Sequence, residues 1–270
     1  MKIKTLFLLG GLCLSNIVTA QQGLHTRNEP LPCFEKTFSI VVHTPKDSLG
    51  DIYIREDQVQ AAIDTMNVYF APICARFELC EINIIENFQY ALPRNTNEWR
   101  QMKVKHQQNN RINVFIVLDI PWVPFDCGYT DLGGLAFPQR DALMLKVPCV
   151  AELPKSLSHE MGHYFGLLDT YGAETTGPEL VDGSNCETAG DLICDTPADP
   201  YVPGDTLRPK YLDPNVFCRF VFQGRDQAGQ YYVPDVGNMM TLYPDTCRCG
   251  FTQQQFLKMA EKYRSSAASW

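Results

Sequence analysis

The segment His159-Glu160-Met161-Gly162-His163 carries the residue types best suited to chemistry. Residues four apart on a helix share one face and lie about 6 Å apart, so both imidazoles can bind one zinc ion at about 2.1 Å. Glu160 leaves the same turn, where its carboxylate can accept a proton from water at that ion. The spacing therefore predicts a zinc centre on a helix, with Glu160 as the general base.

A catalytic zinc centre needs a third protein ligand and one open position. Gly166 lies three residues after His163 and can adopt the positive φ that turns the chain back toward the metal. Asp169 comes three residues later, and a carboxylate oxygen is a suitable zinc ligand. We expect His159, His163 and Asp169 to bind the zinc. The alternatives are that Asp169 only caps a loop, or that a distant Glu completes the site.

Hydrophobic periodicity predicts the elements that position this motif. β-Branched and apolar runs favour strands at residues 38–43, 77–85 and 112–118, and the last run is apolar enough to be covered on both faces. An apolar stripe at helical spacing predicts a helix over residues 56–71. The motif itself is expected on a helix over residues 154–166. The first half is thus predicted to be a layer of strands and helices that ends at the motif.

The second half has a different character. Residues 169–250 are rich in Gly, Pro, Asp and Cys with little periodicity, which indicates an irregular lobe held by disulfides or metal ions. A last helix begins after Thr252, with Gln255 as its capping-box partner. The predicted fold class is α/β (α+β): a mixed twisted sheet with backing and active-site helices, then an irregular disulfide-bonded subdomain. We place the N-terminal catalytic subdomain at residues 37–166 and the C-terminal subdomain at residues 167–270.

The N-terminus predicts export. Residues 1–20 have the basic start, short apolar run and small-residue cleavage site at Ala20 of a secretory signal peptide. Residues 21–36 are expected to form a leader or short pro-segment, and the protein is expected to be secreted, extracellular or periplasmic. The formal charge of −8 argues against nucleic-acid binding. No later apolar run approaches about 18 residues, so no membrane insertion is expected.

The cysteine count leaves one question open. Of 11 cysteines, Cys13 leaves with the signal peptide, and the other ten divide into five before and five after the motif helix. If all ten pair, at least one disulfide must join the two halves. Cys33 is either a disulfide partner or a thiolate that caps the zinc in a latent form.

Four segments carry a family resemblance: HEMGHYFGLLDTYG from residue 159, GDLICDTP from residue 190, Asn238-Met239-Met240, and Cys247 followed by Phe251-Thr252-Gln253. Together they resemble the pappalysin/cytophagalysin (M43-like) branch of the metzincin zinc metallopeptidases, over residues 36–264. The usual third ligand of metzincins is His, and a small branch has Asp, as at Asp169. The resemblance implies a metzincin-like catalytic domain.

The resemblance also implies roles for residues outside the motif. Met240 is the expected Met-turn residue beneath the zinc, although two ordinary core methionines would look the same in sequence. The family's oxyanion tyrosine falls on Leu242 here, with Tyr243 one position further, which places that role in doubt. Asp245 matches a position that lines the S1′ pocket, which implies cleavage before Arg or Lys.

A calcium site is implied in the DTP segment. Asp191, the carbonyl of Ile193 and Thr196 match the family's ligand positions, and hard oxygen ligands suit Ca²⁺. The alternative is a turn-rich loop in which the Asp side chains cap backbone groups.

The implied function is that of a secreted zinc-dependent endopeptidase that acts on protein or peptide substrates, with zinc and calcium as cofactors. The alternative is a non-catalytic secreted binding protein of metzincin fold, in which Asp169 reflects lost chemistry; the intact Glu160 favours the enzyme. Residues 133–137 resemble the family's upper-rim strand, which would bind an extended substrate by strand addition. A simple glycine loop is the alternative there.

Overall fold

One mixed sheet organises the first half of the chain. The structure is a computed structural model, and it describes residues 30–124, 126–131, 142–173, 175–205 and 207–265, with only the backbone of residues 208 and 209. Its strands are β1 (Lys36–Pro45), β2 (Ala75–Ile85), β3 (Ile112–Val117), β4 (Gly128–Asp131) and β5 (Ala142–Lys146). Their order across the sheet is β2-β1-β3-β5-β4. The pairs are parallel except that β4 runs antiparallel to β5, at the edge of the sheet.

Helices lie between and after these strands. Within the described residues they are α1 (Glu56–Phe70), α2 (Thr96–His106), α3 (Val147–Ala151), α4 (Ser156–Tyr164), α5 (Leu207–Lys210) and α6 (Gln253–Ser265). The three predicted strands, the helix over residues 56–71, the motif helix and the last helix are all present. The mixed α/β class predicted from the sequence is confirmed.

Five of these elements were not predicted, namely α2, α3, α5, β4 and β5, and two of them show why. Helix α2 buries only Trp99, Met102 and the stem of Lys103, too few apolar positions to produce a helical stripe in the sequence. Strand β5 is fully buried over four of its five residues, but it follows a glycine-rich run that reads as a loop. Both elements depend on partners distant in sequence.

The main hydrophobic core joins both halves of the chain. The predicted stripe of α1 is buried in this core, together with Ile112, Val114 and Ile116 of β3. Against them pack Met161 and Phe165 from the motif segment, together with Phe256 and Met259 from α6. The apolar faces of α4 and α6 therefore share one core, so the irregular lobe is closed onto the sheet layer by its last helix.

Residues 31–36, which the sequence assigns to the leader or pro-segment, contact the folded chain. Leu31 and Phe34 pack against the core, and Phe34 stacks on Tyr263 of α6 with ring centroids 4.5 Å apart. Cys33 forms a disulfide with Cys74. Residues 31–36 thus belong to the folded unit that begins at Leu31, and the disulfide resolves the question about Cys33.

The expectation that all ten cysteines pair is wrong among the described residues. The disulfides are Cys33–Cys74, Cys127–Cys149, Cys186–Cys194 and Cys218–Cys247, each within one half of the chain. Cys80 and Cys249 are exposed and free. The condition for a disulfide between the halves is therefore not met, because each half keeps one exposed free thiol, and no disulfide crosses between the described halves.

Two expectations fall on residues that the structure does not describe. The signal peptide at residues 1–20 and the upper-rim segment at residues 133–137 lie outside the described ranges. Within those ranges, each helix is too short or too polar to cross a membrane.

The edge strand β4 is tied to α2 by a buried ion pair. Asp131 Oδ2 lies 2.5 Å from Lys103 Nζ and accepts a hydrogen bond from Trp99 Nε1 at 3.0 Å. Lys103 is only 5% exposed, so its charge depends on Asp131. This pair anchors the strand that lies beside the motif helix.

We predict that Asp131→Ala lowers the free energy of unfolding by about 3–5 kcal/mol, because it leaves the buried Lys103 ammonium without a counter-charge. Thermal or urea unfolding of the folded protein measures the change. The control is Asp57→Ala, which breaks the exposed Arg55–Asp57 pair and is expected to leave the unfolding midpoint unchanged. Equal midpoints for the two variants would contradict the role of this ion pair.

Candidate metal centre

Helix α4 places both predicted imidazoles at one point. The Nε2 atoms of His159 and His163 lie 3.1 Å apart. Asp169 Oδ1 lies 3.3 Å from His159 Nε2 and 3.5 Å from His163 Nε2. Ligands of a tetrahedral zinc ion at about 2.1 Å are separated by about 3.4 Å, so three donor atoms at these distances fit the ion closely.

The tautomers of the two imidazoles also suit a metal. His159 Nδ1 lies 2.9 Å from the carbonyl oxygen of Met239, and His163 Nδ1 lies 2.9 Å from that of Leu167. A carbonyl only accepts hydrogen bonds, so each Nδ1 carries the proton and donates it. Each Nε2 then presents a lone pair to the other, an arrangement that is favourable only around a cation.

The third donor reaches this point through a tight turn. Gly166 has φ +87°, a conformation that favours glycine, and ends the helix as predicted. Asp169 then faces the two imidazoles, and its Oδ1 is buried without a hydrogen-bond partner among the described residues. A buried carboxylate oxygen without a donor is costly unless it binds a cation. The chemistry and spacing of these three residues therefore fit a zinc ion.

Glu160 is held next to this cluster by the edge strand. Its side chain is 1% exposed, and its Oε2 accepts a hydrogen bond from Thr130 Oγ1 at 2.6 Å. Its Oε1 is buried with no partner among the described residues. Burial raises the pKa of the Glu160 carboxyl, and the charge of nearby Asp126 raises it further. A carboxylate with a raised pKa is a better proton acceptor near neutral pH.

The Met-turn lies directly beneath the motif helix. Met239 and Met240 are both 0% exposed. A methyl group at Gly162 would overlap the sulfur of Met240, which shows how closely this side chain approaches the helix between its two histidines. Asn238 Oδ1 accepts the Met240 N–H at 2.9 Å and fixes the turn. Both methionines thus contact the site: Met239 through its carbonyl, and Met240 through its side chain.

With this geometry in place, comparison with solved structures gives the fold. Mature mirolysin from Tannerella forsythia, in complex with a cleaved peptide, matches with a TM-score of 0.57 at 17% identity, over 84% of this chain and 91% of mirolysin. The chain shares the fold of mirolysin. A second mirolysin structure, in complex with a compound, gives the same TM-score of 0.57 over 85% of this chain and 93% of that one. No protein-family model and no curated protein matches the sequence.

The likeness to mirolysin is one of fold, and it agrees with the mixed α/β architecture expected from the sequence. The identity of 17% leaves the roles of individual residues to the geometry of this chain. That geometry brings together the two histidines, Asp169, Glu160 and Met240, all of which the sequence singled out.

The residues expected to bind calcium also converge. Thr196 Oγ1 lies 2.8 and 2.9 Å from the two carboxylate oxygens of Asp191, and 2.7 Å from the Ile193 carbonyl oxygen. One hydroxyl proton satisfies only one of these three acceptors. Burial raises the pKa of Asp191 to about 7, and burial together with the charge of Asp191 raises that of Glu179 to about 8. These buried oxygens form a set that suits a hard cation.

Tyr243 and Asp245 both have partners within the chain. The Tyr243 hydroxyl is buried and donates to Asp199 Oδ1 at 2.9 Å, an engagement that does not support the oxyanion role. Burial and the Asp199 carboxylate raise the pKa of Tyr243. Asp245 is 9% exposed, and its Oδ1 lies 4.0 Å from the buried Arg248 guanidinium, so its charge is partly balanced within the chain.

Several neighbours of the site were not predicted. Thr130 holds Glu160, and Gly128 leaves room for it, because a Cβ there would lie 2.5 Å from Glu160 Cδ. Tyr171 donates a hydrogen bond to Asp169, and Glu179 lies beside Asp191. Of these neighbours, only Tyr171 is close in sequence to a predicted ligand, since it follows Asp169 by two residues. The others come from segments whose pairing with the site is set by tertiary contacts.

We predict that Asp169→Ala weakens zinc binding by more than about 100-fold, since loss of a direct ligand exceeds the usual cost of losing a supporting residue. Competition with a chromophoric chelator measures the affinity. The matched control is Asp126→Ala, which removes a carboxylate that lies within 4.8 Å of His159 and Glu160 but outside the three-donor cluster. Equal zinc affinity for Asp169→Ala and the unmodified protein would show that Asp169 only caps the loop.

Proposed function

We propose that this protein is a zinc-dependent endopeptidase of the metzincin type. The observation that carries the proposal is the convergence of His159, His163 and Asp169 at 3.1–3.5 Å, with the unpartnered carboxylate oxygen of Glu160 beside them. Three ligands leave one position open for water, the arrangement of catalytic rather than structural zinc sites. The fold shared with mirolysin supports the same conclusion.

The chain's own residues define the chemistry. Zinc bound by His159, His163 and Asp169 would supply a Lewis acid that acidifies water and polarises the scissile carbonyl. Glu160 removes the proton from the attacking water through Oε1 and later transfers it to the leaving amine. Thr130 keeps the carboxylate in place by occupying Oε2. Burial excludes bulk water, which strengthens the electrostatic interactions inside the site.

Peptides and proteins are the proposed substrates. One mirolysin structure holds a cleaved peptide, which supports a peptide-binding cleft on this fold. The preference for Arg or Lys at P1′ rests on Asp245, and a basic side chain would have to compete with Arg248 for that carboxylate. The cleavage profile described below decides whether this preference exists.

We further propose that the protein is exported and binds calcium. The disulfides support an oxidising compartment, in agreement with the signal peptide read from residues 1–20. For calcium, the support is the buried oxygen cluster at Asp191, Ile193 and Thr196, with Glu179 as an additional acidic neighbour.

We predict that Glu160→Gln abolishes peptide hydrolysis while zinc remains bound one per chain, because the amide cannot accept the proton of water. The experiment is an N-terminal cleavage profile of a protein mixture treated with the mature protein, with metal content measured in parallel. The loss is expected to be on the order of 10²- to 10⁴-fold in kcat/KM.

In the same profile, the unmodified protein is expected to cleave and to lose activity when zinc is chelated. Retained cleavage by Glu160→Gln would contradict the general-base role. Enrichment of Arg and Lys at P1′ would support the pocket assigned to Asp245, and purely apolar P1′ residues would rule it out.

We predict that added calcium raises the thermal unfolding midpoint of the zinc-loaded protein, since a ligand at about 100 times its Kd stabilises the native state by about 2.7 kcal/mol. Asp191→Asn is expected to remove this response. Asp182→Asn is the control, because Asp182 is an exposed carboxylate in the same lobe. A midpoint of the unmodified protein that does not respond to calcium would refute the site.

A further inference from the structure

The third ligand of the proposed zinc site has two oxygens, and they have different partners. Asp169 Oδ1 faces the Nε2 atoms of both histidines at 3.3 and 3.5 Å. Asp169 Oδ2 lies 3.1 Å from the hydroxyl of Tyr171. A carboxylate only accepts hydrogen bonds, so the phenol donates to Oδ2. One oxygen is thus directed at the metal position, and the other is held by the protein.

The separate partners of the two oxygens are important because the proposed ligand is a carboxylate and not an imidazole. A carboxylate can bind a metal through one oxygen or through both, and it can rotate between the two modes. Binding through both would fill the position that a catalytic site leaves open for water. A donor fixed on the second oxygen opposes that rotation and also orients the first oxygen.

The Tyr171 hydroxyl is itself held in place. The intervening residue, Thr170, is 4% exposed; its N–H donates to the Met240 carbonyl at 3.0 Å, and its hydroxyl donates to Asp199 at 2.6 Å. The Tyr171 ring packs edge-on against Tyr201 with centroids 5.7 Å apart. The backbone and the ring of Tyr171 are therefore both fixed. Its hydroxyl can donate to Asp169 Oδ2 with little further loss of conformational entropy.

We propose that Tyr171 is a positioning residue for zinc, which holds Asp169 to single-oxygen coordination through Oδ1 and keeps the fourth position open. The inference rests on the zinc site proposed above. The role assigned to Tyr171 depends on the third ligand being a carboxylate. An imidazole in place of Asp169 would have no second oxygen for Tyr171 to hold.

The test is Tyr171→Phe in the mature protein, with Tyr201→Phe as the matched control. Phe keeps the ring and its packing and removes only the donor. Zinc affinity is measured by competition with a chromophoric chelator, and the visible absorption of the cobalt-substituted protein reports coordination number. We expect Tyr171→Phe to weaken zinc binding by about 10- to 100-fold. We also expect a fainter cobalt spectrum, because the freed Oδ2 enters the coordination sphere.

Tyr201→Phe is expected to match the unmodified protein in both measurements. The proposal is overturned if Tyr171→Phe binds zinc as tightly as the unmodified protein with the same cobalt spectrum. It is equally overturned if Tyr201→Phe loses the same affinity, since the effect would then come from removing a hydroxyl near the site and not from losing the hydrogen bond to Asp169 Oδ2. Failure of the unmodified protein to bind zinc would instead refute the zinc site itself, so the two failures are distinguishable.

Discussion

The structure depends on one electrostatic constraint: two imidazole lone pairs and a carboxylate oxygen meet within 3.5 Å in a buried place. Such a cluster is unfavourable unless a cation lies among the donors. Holding it together requires fixed tautomers and a fixed carboxylate, which the carbonyls of Met239 and Leu167 and the hydroxyl of Tyr171 provide. These hydrogen bonds orient the three donor atoms toward one point and keep them from moving apart.

The irregular second half does much of this positioning. Asn238 and Gln255 exchange two amide hydrogen bonds, at 3.1 and 3.0 Å, which join the Met-turn to the first turn of α6. Gln255 also forms the predicted capping box with Thr252, whose N–H donates to Gln255 Oε1 at 2.9 Å. The last helix therefore closes the core and at the same time supports the turn beneath the histidines, which explains how a lobe with little regular structure can fix a metal centre.

Several acidic side chains are buried, and their negative charges are stabilised in different ways. Asp131 is paired with Lys103, and Asp199 accepts hydrogen bonds from Thr170 and Tyr243. Asp191 and Glu179 have no salt bridge among the described residues, although Lys258 Nζ lies 3.5 Å from the Asp191 carbonyl oxygen, and burial raises their pKa values to about 7 and about 8. A metal ion bound near Asp191 and Glu179 would balance their charges, as Lys103 balances the charge of Asp131.

The sequence by itself determined the elements with strong local signals and the core of the site. Four-residue spacing on a helix fixes both histidines and Glu160, and Gly166 with φ +87° delivers Asp169 after a turn of only a few residues. Tertiary structure decided what depends on segments far apart: Thr130 and Gly128 beside Glu160, Glu179 beside Asp191, and the two unpaired cysteines. Local periodicity specifies which face of an element is buried, but it does not specify which distant element covers that face. For the same reason the engagement of Tyr243 by Asp199, and of Asp245 by Arg248, became visible only in the folded chain.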